Sequence, residues 1–308
     1  MSSSLDFDFI IVGGSYAGLS AAMAMGRARC RVLVLDAGEP RNRTTPHAHN
    51  LLLHDGDTPA ALAARARQQV AAYPTVQLLQ ARATSAEKLP DGTFRVSTAA
   101  HGAFAAPTLL LATGLRDELP PLPGFAECWG TSIIHCPFCH GYEVADQPTG
   151  LWMNGEMVGH MVAMLLNWTQ ELTVFTNGPA TFSDDVRTLL SQHGVGLEET
   201  PVATLLHTGA QLEGLGLVDG RALPLRVLYG KVAWHQSSDL PAQLGCELDE
   251  VSLLRVDEHN QTTVPGVYAL GDNCTMMHQL ANAIGVGNRL GGVLSRNLIL
   301  GRTLPELA

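Results

Sequence analysis

The chain has 308 residues, 46% hydrophobic and 16% charged, an ordinary globular composition at a length that exceeds one compact core, so two domains are expected. Its formal net charge is -10 and its only lysines are Lys88 and Lys231. That excludes the basic face needed for nucleic acid or an anionic membrane and leaves basic protein partners open.

Met1 to Asp8 has no basic leader, and no apolar stretch is long enough to span a bilayer. Six cysteines do not make a disulfide scaffold in a chain of this size. Cys30, Cys128, Cys246 and Cys274 read as buried or incidental thiols. The expectation is a cytoplasmic protein in a reducing compartment.

Phe7 to Gly13 is a short apolar run ending in glycine, which predicts a buried parallel strand. The turn Gly13-Gly14-Ser15-Tyr16-Ala17-Gly18 follows. Leu19 to Gly26 predicts a small-residue helix, and Arg31 to Asp36 the next strand. Asp36 lies about 20 residues after the glycine turn, as a dinucleotide site requires. Glycines let the backbone approach a pyrophosphate, and the helix N-terminus offers free N–H donors. Ser15 stands where the second glycine belongs, which strains that approach without abolishing it. The alternative is a structural turn without ligand.

Val76–Leu79, Thr93–Ser97 and Pro107–Leu111 are strand-like, with Asp91-Gly92 as a hairpin signal. Ala112-Thr113-Gly114 follows, and Pro120, Pro121 and Pro123 mark a connector.

Next comes His135-Cys136-Pro137-Phe138-Cys139-His140. A CxxC pair is a redox dithiol or half of a metal site. No second CxxC exists and the local cluster lacks further ligands, so a metal site is not expected. A neighbouring imidazolium stabilises a thiolate, the reactive form.

A second βαβ-like segment has strand Leu151–Met153, a helix from about Met157 to Trp168, and strand Leu172–Phe175. Met157, Met161, Met164 and Leu165 share a helical spacing that reads as a packed core face. Near the end, Thr263 to Asp272 closes with Gly271-Asp272, and a helix with small residues begins about Gln279.

Taken together, the glycine turn at 13–18, Ala112-Thr113-Gly114, the CxxC and Gly271-Asp272 resemble the low-molecular-weight thioredoxin reductase family of FAD-dependent disulfide oxidoreductases. The resemblance covers essentially the whole chain. It implies an α/β fold of two Rossmann-like dinucleotide domains, the second inserted into the first. Residues 1–115 and 244–308 would form the FAD domain, and 116–243 the NAD(P)-type domain carrying the CxxC. Homodimers are usual in this family. FAD contacts would fall on Gly13, Gly14, Ser15, Tyr16, Ala17, Gly18, Asp36, Arg41, Asn42, Asn50, Ala83, Ala112, Thr113, Gly114, Gly271, Asp272, Gln279 and Leu280. The arginine usual before that glutamine is His278 here.

The same resemblance makes Cys139 the flavin-side cysteine and Cys136 the exchanging thiol. His140 stands where the family has aspartate, and Cys-Pro-Phe-Cys-His-Gly-Tyr-Glu is closer to the branch of flavin dithiol oxidases that close disulfides in natural products such as gliotoxin and holomycin. A histidine near neutral pKa can shuttle the protons of thiol–disulfide exchange. The other reading of His140 is a capping or solvent-facing residue, and His135 is open between an electrostatic and a structural role.

The second nucleotide fingerprint aligns with Asn154-Gly155-Glu156-Met157-Val158-Gly159, with Asn154 and Glu156 at the first two glycine positions. Glu156 sets a negative charge where a pyrophosphate would lie, and two unit charges ~4 Å apart cost ~4 kcal/mol at an effective dielectric of ~20. After Val174-Phe175 the chain reads Thr176-Asn177-Gly178-Pro179, without the basic cluster that grips a 2′-phosphate. The expectation is an FAD-dependent dithiol/disulfide oxidoreductase that does not use NAD(P)H. Its substrate would be a thioredoxin-like protein or a small-molecule dithiol, and its external partner O2 or a ferredoxin-like donor. The alternatives are an NADPH-dependent thioredoxin reductase and a flavin-bound redox sensor.

Overall fold

The computed structural model describes residues 7–303. Met1 to Asp6, most of the stretch read for a leader, and residues 304–308 lie outside it. The described residues divide into two compact units. One is drawn from the chain up to Arg43, from Asn50–Arg116 and from Trp234 onward; the other from Thr44–His49 and Asp117–Ala233.

In chain order the first unit contains β1 (Phe9–Val12), α1 (Tyr16–Arg27), β2 (Val32–Asp36), α2 (Pro59–Ala71), β3 (Val76–Gln80), β4 (Ala83–Lys88), β5 (Phe94–Thr98), β6 (Gly102–Ala106) and β7 (Thr108–Leu111). The chain leaves along β8 (Leu115–Glu118). The second unit contains α3 (Phe125–Cys128), β9 (Ile133–Ile134), α4 (Pro137–His140), β10 (Thr149–Trp152), α5 (Met157–Leu165), β11 (Leu172–Phe175), α6 (Asp184–Gln192), β12 (Gly196–Glu198), β13 (Val202–Thr208), β14 (Gln211–Leu217), β15 (Ala222–Pro224) and β16 (Val227–Gly230). The chain returns along β17 (Ala233–Gln236), paired with β8, and completes the first unit with α7 (Leu240–Leu244), β18 (Val267–Ala269) and α8 (Leu280–Thr303). The return crossing falls at Ala233–Trp234, earlier than the boundary at 243 read from the sequence. Its cause is local: Gln236 already donates to the carbonyls of Ser252 and Asn273.

The first unit is built on a parallel sheet of order β18-β7-β1-β2-β3. Strands alternate their side chains between faces. Ile10, Val12, Leu33, Leu35, Leu109 and Leu111 therefore pack one face against Phe94 and Val96 of the antiparallel β4-β5-β6 sheet. Ile11 turns to the other face, toward α1. The long α8 lies on α1 at two glycines. A Cβ on Gly287 would stand 2.3 Å from the Ala17 carbonyl oxygen, and one on Gly291 2.6 Å from that of Ala21.

The second unit repeats this plan, with a parallel sheet of order β12-β11-β10-β16-β9 and an antiparallel β13-β14-β15 sheet. The fold is the expected pair of Rossmann-like α/β units. One expectation is corrected. Of the expected core face of α5, Leu165 is buried and Met161 packs against the core partly buried, but Met157 is exposed, and Val158 and Val162 supply the rest of the face. Val158 and Val162 are the i, i+4 pair that faces the sheet, and the methionines are displaced around the helix from it. Among the described residues, no helix is long and apolar enough to cross a membrane.

Candidate functional site

Two constellations carry chemistry, one in each unit. In the first unit, β1 is followed by Gly13, whose φ of 110° is open to glycine. A Cβ there would sit 2.1 Å from the Ala112 carbonyl oxygen, so the glycine turn and the turn after β7 meet backbone to backbone. A Cβ on Gly14 would fall 2.7 Å from Cβ of Asp36, which brings the acidic end of β2 against the turn. Ser15 caps α1 with extended backbone but without a side-chain hydrogen bond, leaving the first N–H groups of the helix to another acceptor. Tyr16 and Ala17 are buried, and the Tyr16 hydroxyl donates to the Pro59 carbonyl at 3.2 Å. Ala17 also touches the Gly271 position.

Asp272 accepts from Arg41 Nη1 at 3.2 Å, and the same nitrogen lies 3.0 Å from Nδ1 of His278. A guanidinium thus stands beside His278, supplied by Arg41 from a distant segment. Asn42 shares the short 3-10 turn Arg41–Thr44. Asn273 donates to the Leu111 carbonyl at 2.8 Å and to Thr113 Oγ1 at 3.3 Å. Its Oδ1 is buried and has no hydrogen-bond partner among the described residues. Gly114 takes a positive φ of 67°. Gln279 and Leu280 open α8. Asn50 and Ala83 lie on separate segments, Asn50 in a left-handed turn held by Asp55 and Ala83 at the start of β4. Sequence reasoning missed Arg67, which closes from α2 onto Asp36. It also missed Asn273 and the α8 glycines. The four-residue spacing of Gly287 and Gly291 was a legible signal of close helix packing; nothing announced Arg67.

In the second unit, Cys136 and Cys139 are joined as a disulfide with Cα atoms 5.3 Å apart. Pro137 starts the short α4 and Cys136 is its cap residue. Both cysteines and His140 are half-buried. Phe138 is exposed and meets Trp168 edge-on, with centroids 5.6 Å apart. A Cβ on Gly141 would lie 2.5 Å from the Pro137 carbonyl oxygen and 2.9 Å from Nε1 of the same tryptophan. His135 stacks on Trp129. Burial, reinforced by repulsion from His49, holds His140 below the ordinary histidine value, while Glu143 pulls the other way. That shift favours the neutral imidazole over the imidazolium that would stabilise a thiolate. The remaining thiols are quiet. Cys30, Cys128 and Cys246 are buried and raised by that burial, and desolvation pushes Cys274 up to about 12.

The turn after β10, Asn154 to Gly159, is held by its own side chains. Asn154 Oδ1 accepts from the N–H groups of Gly155 and Thr181, both at 2.9 Å, and from the Thr181 hydroxyl at 3.1 Å. Its Nδ2 donates to the Pro179 carbonyl at 2.9 Å. Glu156 accepts from the Ser183 N–H at 2.7 Å and its hydroxyl at 3.1 Å. These bonds stitch the turn after β10 to the loop after β11. Arg187, the cation nearest in sequence, reaches the Ala180 carbonyl and Glu199. Gly159 keeps the packing role of a third glycine, with Val186 3.1 Å from where its Cβ would be. Beside the stitched turn is a hollow of about 340 Å³ lined by Pro120, Phe125, Trp152, Asn154 and Lys231.

The model of the pyridine nucleotide-disulphide oxidoreductase family matches residues 7–287. The chain belongs to that family. This oxidoreductase is 31% identical over 319 residues to the thioredoxin reductase tcpT of Claviceps purpurea, covering 97% of this chain and 96% of that protein. Among solved structures it is similar to an oxidoreductase from Agrobacterium tumefaciens, with 37% identity, a TM-score of 0.89 and coverage of 96% and 99% of the two chains. It is also similar to HlmI, with 29% identity, a TM-score of 0.91 and coverage of 100% and 97%. The protein is thus an enzyme of the thioredoxin reductase-like disulfide oxidoreductase type. Flavoproteins of this family use FAD. The first unit fits that group. It has an uncapped helix N-terminus for phosphate, the acidic end of β2 held against the glycine turn, and an orphaned buried acceptor at Asn273.

Proposed function

We propose that this protein is an FAD-dependent dithiol oxidase that works without NAD(P)H, closing the disulfide of a small dithiol and passing the electron pair to dioxygen. The stitching of Asn154 and Glu156 to the loop Thr176–Ser183 carries this reading. A nicotinamide nucleotide entering there would have to break those bonds, meet the Glu156 carboxylate, and do so without a free arginine cluster. A loss of ~1.4 kcal/mol already costs tenfold in affinity.

Gly13 to Gly18 would cradle the FAD pyrophosphate, Asp36 would accept from its ribose, and Arg41, Asp272 and the Ala112–Gly114 turn would border the rest. When bound, FAD supplies the acceptance of an electron pair and its delivery to dioxygen. The rest is the work of this chain. A substrate thiol gives its proton to a ring nitrogen of His140, and its sulfur attacks Cys136 Sγ. The Cys136–Cys139 bond breaks, with Cys139 leaving as thiolate. The second substrate thiol then attacks the mixed disulfide and releases Cys136. In sum a dithiol and O2 become a disulfide and hydrogen peroxide.

Charge disfavours the opposite electron flow, from a ferredoxin-like donor to a disulfide, because an acidic donor would face a chain of net charge -10. Phe138 and Tyr142, 58% and 85% exposed, flank the pair with aromatic surface suited to a small apolar dithiol.

Anaerobic titration of the flavoprotein with NADPH, NADH and dithiothreitol in parallel, followed by admission of air, tests the reading. Bleaching by dithiothreitol alone, with colour and peroxide returning in air, is expected. Fast stoichiometric bleaching by NADPH would overturn it, as would turnover with a thioredoxin-like protein and none with small dithiols.

A further inference from the structure

The proposed proton acceptor does not stand alone. His140 ends α4, and Glu143 follows on the next turn of chain. Glu143 Oε1 lies 3.3 Å from Nδ1 of His49, on the segment Thr44–His49 that belongs to the same compact unit. This segment comes from far earlier in the chain, and no sequence spacing connects it to the CxxC. We infer that His49 and Glu143 are positioning residues for His140, a paired imidazole and carboxylate that set the charge His140 meets when it takes the substrate proton. This inference rests on the reading of His140 as the proton acceptor.

The proton transfer gives such a pair a task. Each turnover puts a proton on a ring nitrogen of His140, and the sulfur that lost it forms the new S–S bond with Cys136. His140 must accept the proton readily and release it before the next cycle. A half-buried imidazole with no charged neighbour resists the cation. A lone carboxylate beside it would hold the proton too long. The His49–Glu143 pair offers both signs, so its balance tunes the acceptor. The Glu143 side chain is 38% exposed, which opens the pair to water and gives the proton an exit.

The titratable groups about His140 and about the His49–Glu143 pair can be named. From the segment 44–49 comes His49, with the His47 ring 6.4 Å from it. From its own turn comes Glu143. From β16 comes Tyr229, buried and raised by burial and by the Glu143 charge, hence neutral throughout the working range. His135, before α4, is turned onto Trp129. Only His49 and Glu143 weigh on His140 among these.

The test is stopped-flow flavin bleaching by dithiothreitol across pH in His49→Gln, in the double variant His49→Gln/Glu143→Gln, and in His140→Ala. Removing His49 removes a repulsion, so the acid limb of the profile should move to higher pH, by about half a unit or more. On that limb this is roughly a threefold loss of rate at fixed pH. Removing Glu143 in that background removes an attraction, so the limb should move back to lower pH. A role confined to folding would lower the rate at every pH without moving the limb. Static limbs in the first two variants, with His140→Ala still slow, would overturn this inference and leave the proton acceptor standing. A His140→Ala variant as fast as the parent would overturn both.

Discussion

Glu156 accepts hydrogen bonds from both the N–H and the hydroxyl of Ser183, the cap residue of α6. Glu156 thus serves as an anion at the start of α6, where a helix offers free N–H groups and the positive end of its dipole.

Glu156→Ala should therefore loosen the second unit without reviving a nucleotide site. The bonds are exposed, so the cost is about 1 kcal/mol. Urea unfolding measures it, and flavin bleaching by NADPH should stay absent in the variant. Bleaching that appears on removing Glu156 alone would mean that its charge was the sole barrier.

The two cysteines should part company when substituted singly. Cys136→Ser leaves Cys139 as a thiolate, and a long-wavelength charge-transfer band with oxidised flavin is expected. Cys139→Ser should lack the band, and both variants should lose dithiol turnover because exchange needs a pair. A band in the Cys139 variant instead would reverse the assigned roles.

His140→Ala should slow flavin reduction by a dithiol roughly 10²–10⁴-fold, the usual scale of general acid–base catalysis. The sign of the pH dependence follows from the lowered value of His140. The residue must be neutral to accept, so the parent rate should hold steady near pH 7 and fall as pH drops through a point below 6.5. The alanine variant should lose that fall. His135→Ala should change the rate far less, since His135 is stacked on Trp129.

Gly291→Val tests the seam between α1 and α8. The added carbons meet the Ala21 carbonyl at 2.6 Å and Ala24 Cβ at 2.9 Å, so overpacking of about 1–3 kcal/mol and weaker FAD retention are expected. Gly292→Ala is the control. Nothing lies within 4 Å of its Cβ, and helix propensity makes it neutral or stabilising by up to ~1 kcal/mol. Thermal melts and flavin release on gel filtration separate the two.

The fold was largely legible because its signals are local. An apolar strand, a glycine turn and an acid at the end of the next strand are read within a few tens of residues, and β1, α1 and β2 appear in that order. The CxxC announced itself by chemistry alone. What stayed hidden depends on distant segments meeting. Arg67 reaching Asp36, Arg41 beside His278, and His49 against Glu143 have no spacing that predicts them. The face of α5 was only partly read, because methionines share the helical period with the valines that make the core. That Asn154 and Glu156 stand at glycine positions could be read, yet the bonds they make could not, since Thr181 and Ser183 are ordinary loop residues until Asn154 and Glu156 are seen to hold them.

The desolvated state of the four unpaired thiols turns this enzyme into its own gauge. Alkylating reagents act on thiolate, and Cys30, Cys128, Cys246 and Cys274 are all shifted away from it, Cys274 to about 12. At mild pH in the native state, a label that enters the protein enters at Cys136 or Cys139, and only while that bond is open. Intact-mass counting of label would then read the fraction of reduced enzyme directly, during turnover and in a cell extract, without engineering any residue away.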